Sequence, residues 1–159
     1  MSNYEISAKP AFTVLGLGTI LTGDYRQIPA QKQTFWQQVT TDGRYQALQQ
    51  QAQNALQFAV NEAVDGVMHF YAGVQTAANI TTDSADERAI RFPASDYLVV
   101  TGSADTALDL FNQLEGAAFG QILPALTDQA YVGGPNTSVI TATTATEVKG
   151  EFWVPLSTK

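Results

Sequence analysis

The sequence predicts one α+β domain with an antiparallel sheet, and three observations support this fold class. The chain has 159 residues, 45% of them hydrophobic, which suits a single domain with a sizeable core. A pattern of strand, helix and two further strands occurs twice. Each helix is followed by two consecutive strands, whereas a parallel sheet needs strands and helices in alternation.

The first unit begins with a strand and continues into a helix. Residues 11–21 are apolar and β-branched and precede a Thr-Gly-Asp turn, which predicts a strand. Pro29 suits the first turn of the next helix, and Trp36 belongs to its apolar stripe. The helix is interrupted at Gly43, and a second helical segment is predicted from 45 to about 54 because its Gln residues favour helix.

A β-hairpin completes the first unit. Residues 56–61 and 67–76 have strand character, and an Asp-Gly pair in the intervening segment is typical of a tight turn. The polar and acidic stretch 81–87 is predicted to be a loop.

The second unit repeats this order. Residues 91–102 predict a strand, with Pro93 near its start, where a missing amide donor costs least. Ser103 or Asp105 is positioned to cap a helix whose apolar residues follow a 3.6-residue period up to Pro124.

Two more strands, 138–143 and 148–156, close the second unit. The halves, about 4–76 and 91–156, are not detectably similar residue by residue, so the repeat is one of element order.

Side-chain alternation divides the strands into two faces. One set is apolar and is predicted to form the core: Met68, Phe70, Ala72, Val74, Phe152, Val154, Leu156, Leu56, Phe58 and Val60. The opposite set includes His69, Tyr71, Gln75, Glu151 and Trp153. Aromatic rings beside a few polar groups suit a ligand cleft, while a half-hydrated sheet face is the alternative.

Glu151 is a notable polar residue in this pattern, because it lies in an apolar strand beside Trp153. In an aromatic cleft this carboxylate would be a counter-charge for a cationic ligand, with cation–π attraction from Trp153 and Tyr71. A rim position facing water is the alternative.

Composition excludes several functional classes. With 8 basic and 15 acidic side chains the formal charge is −7, so a basic surface for direct nucleic-acid binding is not expected. The chain has no cysteine, which excludes disulfides and thiol catalysis. His69 is the single histidine, and no metal-ligand spacing or Ser-His-Asp signature accompanies it, so no metal or cofactor is predicted.

Two further patterns are lacking. Gly16-Leu17-Gly18 has no third glycine at the dinucleotide-binding spacing. The sequence has no secretory signal pattern and no apolar run near the roughly 20 residues that span a bilayer, so a cytoplasmic protein without membrane contact is expected.

Several short motifs, in order, resemble the GyrI-like family, the effector-binding domains of bacterial transcription activators of the AraC and MerR types. The motifs are Asn3-Tyr4-Glu5-Ile6, Lys9-Pro10-Ala11-Phe12, Phe35-Trp36, Phe70-Tyr71-Ala72-Gly73-Val74, Phe92-Pro93-Ala94 with Tyr97, and Glu151-Phe152-Trp153-Val154-Pro155-Leu156. The resemblance covers nearly the whole chain.

The resemblance implies duplicated β-α-β-β units whose antiparallel sheets curl into a barrel-like cleft, with helices packed outside. Such clefts take amphipathic, often cationic and aromatic, drug-like molecules. Because the match begins at the first residues, 1–159 is expected to be one stand-alone effector-binding domain without a DNA-binding domain.

Two departures from the family pattern affect ligand charge. The penultimate strand of relatives often carries a buried glutamate in an F-E-x-Y run, where this chain has Ser138-Val139-Ile140-Thr141. The acid that often follows the A-G-V motif is Gln75 here. A neutral ligand is therefore also plausible unless Glu151 supplies the charge.

The leading hypothesis is a non-enzymatic small-molecule binder. Its candidate ligand-binding residues are Trp36, His69, Tyr71, Gln75, Tyr97, Phe119, Glu151 and Trp153. Core packing is the alternative for Trp36.

Two rival functions remain. The first is a hydrolase of electrophilic small molecules, with Glu151 as base and Tyr71 or Tyr97 as acid. The second is a protein-binding modulator of DNA gyrase or of a separate regulator.

Overall fold

The computed structural model describes residues 3–82 and 84–159, and their strands form one antiparallel sheet. Within these ranges nine strands are present: β1 (Asn3–Lys9), β2 (Phe12–Ile20), β3 (Gln57–Val64), β4 (Val67–Thr76), β5 (Glu87–Phe92), β6 (Ser95–Ala104), β7 (Gln129–Tyr131), β8 (Asn136–Thr143) and β9 (Val148–Thr158). The order is β1-β6-β9-β8-β3-β4-β2-β5, with β7 beside β9. The sheet curls without closing. The predicted α+β class is confirmed.

The helices pack on one side of this sheet. They are α1 (Ile28–Thr41), α2 (Arg44–Gln49), α3 (Ala107–Ala117) and α4 (Leu123–Ala125), with a π-helical turn (Ala118–Ile122) before α4. Thr106, rather than Ser103 or Asp105, caps α3, and its hydroxyl accepts a hydrogen bond from the Asp109 amide at 3.1 Å. The cap comes later than predicted because β6 continues to Ala104. Among the described residues, no helix is long and apolar enough to cross a membrane.

The two halves have matching element orders and exchange their first strands. Each half runs strand, strand, helix, strand, strand, but β1 pairs with β6 and β5 pairs with β2. The halves join where β3 pairs with β8, with Ala59 opposite Ser138. The predicted repeat of element order is therefore present, with one additional strand in front of each unit.

The single strand predicted over 91–102 is in fact two strands. Pro93 and Ala94 form a corner between β5 and β6, because the chain passes there from one half of the sheet to the other. Proline lacks an amide donor and therefore suits a point where ladder pairing stops. Pro10 lies at the matching corner between β1 and β2. Both β1 and the short β7 were absent from the prediction.

Buried side chains form a core on each face of the sheet. The larger core lies under the helices and includes Phe70, Val74, Phe152, Val154 and Leu156, as predicted. The second core lies on the helix-free face and consists of Val14, Phe58, Val60, Tyr71, Ile90, Phe92, Tyr97, Val99, Val139 and Trp153, with Phe12 and Leu56 against it.

The prediction for β3 was wrong in orientation. Leu56, Phe58 and Val60 were assigned to the core with Phe70, but they lie on the helix-free face with Tyr71. Met68, assigned to the same core, is 40% exposed near the start of β4. The cause is pairing register, because Phe58 stands opposite Gly73 and Val60 opposite Tyr71. Alternation within one strand gives two faces without deciding which one the helices cover.

Candidate functional site

The centre of the helix-free face is an aromatic cluster built around Phe12. The Phe12 ring stacks on Phe92 with centroids 4.5 Å apart and meets Trp153 edge-on at 5.5 Å. Phe58 contacts the same indole at 5.8 Å, and Tyr97 lies 6.0 Å from Phe12. Two of the predicted site residues, Tyr97 and Trp153, are thus brought together here.

Trp153 holds two charged side chains at this cluster. Its indole Nε1 donates to Glu151 Oε1 at 2.8 Å, which fixes the carboxylate beside the ring. The Lys9 ammonium lies over the ring, with Nζ 4.1 Å from the centroid. A hollow of about 160 Å³ separates this group from Gln75. The indole therefore carries a cation over its face, in a cation–π contact, and a carboxylate at its N–H edge.

Tyr97 is fully buried in the same cluster. Its hydroxyl donates to the Pro93 carbonyl at 2.7 Å, and burial raises its pKa well above the usual range. The phenol therefore has its proton engaged in this hydrogen bond and packs as part of the aromatic cluster.

Tyr71 occupies the opposite end of the helix-free face and lies flat on β2. It can do so because Gly16 and Gly18 have no side chains: a Cβ at Gly18 would lie 2.5 Å from Tyr71 Cε1, and one at Gly16 would lie 2.8 Å from Tyr71 Cβ. The predicted site residue His69 stacks beside Tyr71, with ring centroids 6.0 Å apart and planes 10° from parallel.

An ion pair between buried Glu62 and half-exposed Arg88, next to Tyr71, was missed by sequence analysis. Glu62 is 9% exposed and accepts from Arg88 through Nε at 2.7 Å and Nη2 at 3.2 Å. Burial, followed by the Glu62 charge, raises the pKa of Tyr71 to about 12. Glu62 was missed because the predicted strand ended at Asn61, whereas β3 continues to Val64.

Tyr71, His69 and Arg88 line a groove of about 650 Å³. Gly18, Ile20, Val64 and Asp86 line it as well. The helix-free face thus presents two candidate sites. The Trp153 site comprises Lys9, Phe12, Gln75 and Trp153, with Glu151 hydrogen-bonded to the indole. The Arg88 groove comprises Gly18, Ile20, His69, Tyr71 and Arg88, with Glu62 hydrogen-bonded to the guanidinium.

Two predicted site residues lie on the helix side of the sheet, apart from both sites. Trp36 is buried against Phe111, with ring centroids 5.0 Å apart. Phe119 packs edge-on against Phe152 at 5.8 Å and remains 41% exposed. The core alternative weighed for Trp36 agrees with its position.

Glu151 and Tyr71 lie on β9 and β4, with strands β8 and β3 between them in the order of the sheet. The acid–base pairing considered for a hydrolase stays a prediction. Within the described ranges, no group of three or more potential metal ligands is present.

Comparison with known proteins identifies related chains. The family model for the integron-associated effector-binding protein Cass2 matches residues 5–156. SAV2435 bound to tetraphenylphosphonium superposes with a TM-score of 0.76 at 19% identity, covering 98% of this chain and 94% of that one. A Staphylococcus aureus MU50 protein, whose name proposes a role in bacterial transcription regulation, gives 0.73 at 17% identity, covering 98% of each chain.

An integron cassette protein from Vibrio cholerae is also similar, with a TM-score of 0.60 at 9% identity, covering 95% of each chain. A search of curated protein sequences finds no match. The structural likenesses support the fold expected from the GyrI-like resemblance.

Proposed function

Because the chain belongs to the family of integron-associated effector-binding proteins, we propose that it binds a small aromatic cation at the Trp153 site. The observation that carries this proposal is the Lys9 ammonium, 4.1 Å from the Trp153 ring centroid. The protein's own cation occupies the position that a ligand cation would take. SAV2435, which has a similar fold, is bound to tetraphenylphosphonium, an aromatic cation.

Electrostatics support a positive ligand charge. The indole face attracts a cation, and the attraction grows when water is excluded. The Glu151 carboxylate is held beside this ring by its hydrogen bond to the indole. The net charge of −7 adds a long-range attraction for cations.

The hollow beside Trp153 is small, so a ligand must displace side chains that now fill the site. A hollow of about 160 Å³ is too small for a drug-sized molecule, whose pockets are typically about 300 Å³ or larger. Lys9 and Phe12 lie at the two ends of the short connector between β1 and β2. We expect an aromatic cation to displace the Lys9 ammonium and the Phe12 ring, since it offers the same two groups in one molecule.

Binding would make the chain an effector protein that sequesters a drug-like cation or reports its presence to a separate regulator. Relatives with this fold include a protein whose name proposes transcription regulation. Multidrug binding and a cytoplasmic location belong to the same proposal.

The test is a fluorescence titration of the Trp36→Phe variant, in which Trp153 is the remaining tryptophan. Tetraphenylphosphonium is the cationic probe, and triphenylphosphine oxide is a neutral aromatic comparison. We expect saturable quenching by the cation, weakened about tenfold in Glu151→Gln and strengthened several-fold in Lys9→Met, because the competing ammonium is gone. Glu147→Gln, in the turn between β8 and β9, is the matched control and leaves the affinity unchanged.

Equal affinity for the neutral compound, unchanged in Glu151→Gln, would contradict the cation mechanism while keeping a binding site at Trp153. Absence of quenching by both compounds would contradict ligand binding at Trp153 and favour the protein-binding alternative.

A further inference from the structure

We propose that the Arg88 groove is a second binding site, independent of the Trp153 site, which takes a neutral planar aromatic molecule carrying a hydrogen-bond acceptor. The groove is bordered by strands β2, β3, β4 and β5, all from one side of the sheet. Phe12 and Gln75 of the Trp153 site lie at the other ends of β2 and β4, six residues along the chain from Gly18 and His69 respectively, and the linings of the two sites share no residue. Its volume of about 650 Å³ lies within the range of small-molecule pockets, about 300 to 1,000 Å³.

The charges in the groove favour a neutral ligand. Both Glu62 carboxylate oxygens accept from the Arg88 guanidinium, so each charge already has its partner. A charged ligand would lose hydration without gaining an uncompensated counter-charge at this pair. Asp86 and Glu87 also line the groove and disfavour anions, while the Arg88 guanidinium in the same lining disfavours cations.

Hydrogen-bonding capacity in the groove is directional. Arg88 uses Nε and Nη2 for Glu62, and its Nη1 makes no hydrogen bond among the described residues, which leaves donors for a ligand oxygen. The His69 Nδ1 lies 3.0 Å from the Val67 carbonyl oxygen. Since a carbonyl accepts, the neutral ring carries its proton on Nδ1, and Nε2 is an acceptor.

Apolar surface in the groove suits a flat ring. Ile20 is 54% exposed and lines the groove together with Val64 and His69. The lack of a side chain at Gly18 lets the Tyr71 ring lie on the sheet, and this ring contributes an aromatic surface to the groove. A planar molecule between these walls would bury apolar area and place its oxygen toward Arg88.

The experiment titrates the full chain with four probes built on one ring: acetophenone, ethylbenzene, benzoate and benzylammonium. Binding is followed by two-dimensional ¹H–¹⁵N NMR at the Gly18 amide and the Arg88 Nε–H. We expect acetophenone to shift both signals saturably and to bind about tenfold more tightly than ethylbenzene, which lacks the acceptor. Benzoate and benzylammonium are expected to bind more weakly than acetophenone.

Two variants separate the polar and apolar contributions. The double variant Glu62→Met/Arg88→Met removes the donors without leaving an unpaired buried charge, and should erase the tenfold preference for acetophenone over ethylbenzene. Ile20→Trp fills the groove from an exposed position and should abolish binding of both probes. Val132→Trp, at a similarly exposed apolar position after β7, is the matched control and leaves binding unchanged.

Absence of saturable shifts at Gly18 and Arg88 up to the solubility limit of acetophenone would overturn the proposal. Equal or tighter binding of benzoate or benzylammonium would overturn the neutral ligand class. Tetraphenylphosphonium binding at Trp153 is measured in parallel. It should be unaffected by Ile20→Trp, so failure of one site is distinguishable from failure of the other.

Discussion

The two ends of the helix-free face are built on matching strands of similar halves, yet they carry different chemistry. Tyr71 on β4 stands opposite Gly18 on β2, and Glu151 on β9 stands opposite Thr101 on β6. Because Gly18 has no side chain, the Tyr71 ring lies directly on the sheet. At the other end Thr101, which has a side chain, stands opposite the Glu151 carboxylate. One backbone plan therefore supports an aromatic floor at one end and a charged group at the other.

The flanking edge strands extend this contrast. Arg88 on β5 stands opposite Gly16, and Glu5 on β1 stands opposite Val99. At the first end the arginine neutralises a buried glutamate, Glu62. At the second end the cation is Lys9, which lies on the Trp153 ring while Glu151 holds the indole nitrogen. The difference shows that a few side chains on a shared backbone decide which charged groups each end presents.

The largest expected loss of stability comes from breaking the ion pair between Lys32 and Glu115, which joins the two halves of the chain. The Lys32 ammonium on α1 is 3.1 Å from Glu115 on α3 and donates to Asn61 at 2.7 Å. Lys32→Met leaves Glu115 without its cation and should lower the free energy of unfolding by about 3 kcal/mol in urea denaturation. Lys32→Met/Glu115→Leu should recover much of this loss, and an equal loss in both variants would contradict the ion-pair explanation.

A smaller effect tests the glycine that distinguishes the two ends. Gly18→Ala places a Cβ 2.5 Å from Tyr71 Cε1, so the ring must move, at a cost of about 2 kcal/mol in the free energy of unfolding. The matched Thr101→Ala change, at an exposed position, should cost less than about 0.5 kcal/mol. Equal costs at the two positions, measured by urea denaturation, would show that Tyr71 does not depend on the glycine.

The ionisation of Tyr71 gives a pH-dependent difference. Its folded pKa of about 12 lies above the ordinary value of 10.0, so the unfolded chain loses this proton first. Its contribution is complete below pH 10 and is lost as pH rises toward 12. Between pH 10 and 11 the wild type should lose about 1 kcal/mol more stability than Tyr71→Phe. Parallel stability curves for the two proteins would refute the raised pKa.

The smallest expected effect concerns the Trp153 end. Lys9→Met removes the ammonium from the indole face and should lower the free energy of unfolding by about 0.5 kcal/mol. The same variant should change the Trp153 emission in the Trp36→Phe background. Lys159→Met, at the C-terminal residue, is the control, and an identical spectral change there would exclude a direct Lys9 contact.

Much of the local structure was predictable because it depends on neighbours in sequence. The apolar stripe with Trp36 indicated a helix facing the sheet, and the Asp65-Gly66 pair indicated the β3–β4 turn. That turn needs positive φ at both residues, and the structure has 53° and 80° there. The division of β4 and β9 into an apolar and a polar-aromatic face is confirmed for the same reason.

The site itself was predictable only in part. Tyr71, His69, Trp153, Glu151, Gln75 and Tyr97 lie on or beside the helix-free face, while Trp36 and Phe119 lie elsewhere. Their roles in binding stay predictions, as do the absence of a DNA-binding domain and the cytoplasmic location. The sequence offered no way to place Phe58 and Val60, since register decides the face.

The sequence by itself determined the fold class, the order of elements and the aromatic character of one strand face, because helix and strand periods and turn chemistry are local. Tertiary structure decided which distant residues meet. Glu62 and Arg88 are 26 residues apart, and Lys9 reaches Trp153 only because β1 and β9 flank β6. Such contacts depend on strand order and pairing register, which are fixed by the packing of the whole sheet and leave no local pattern in the chain.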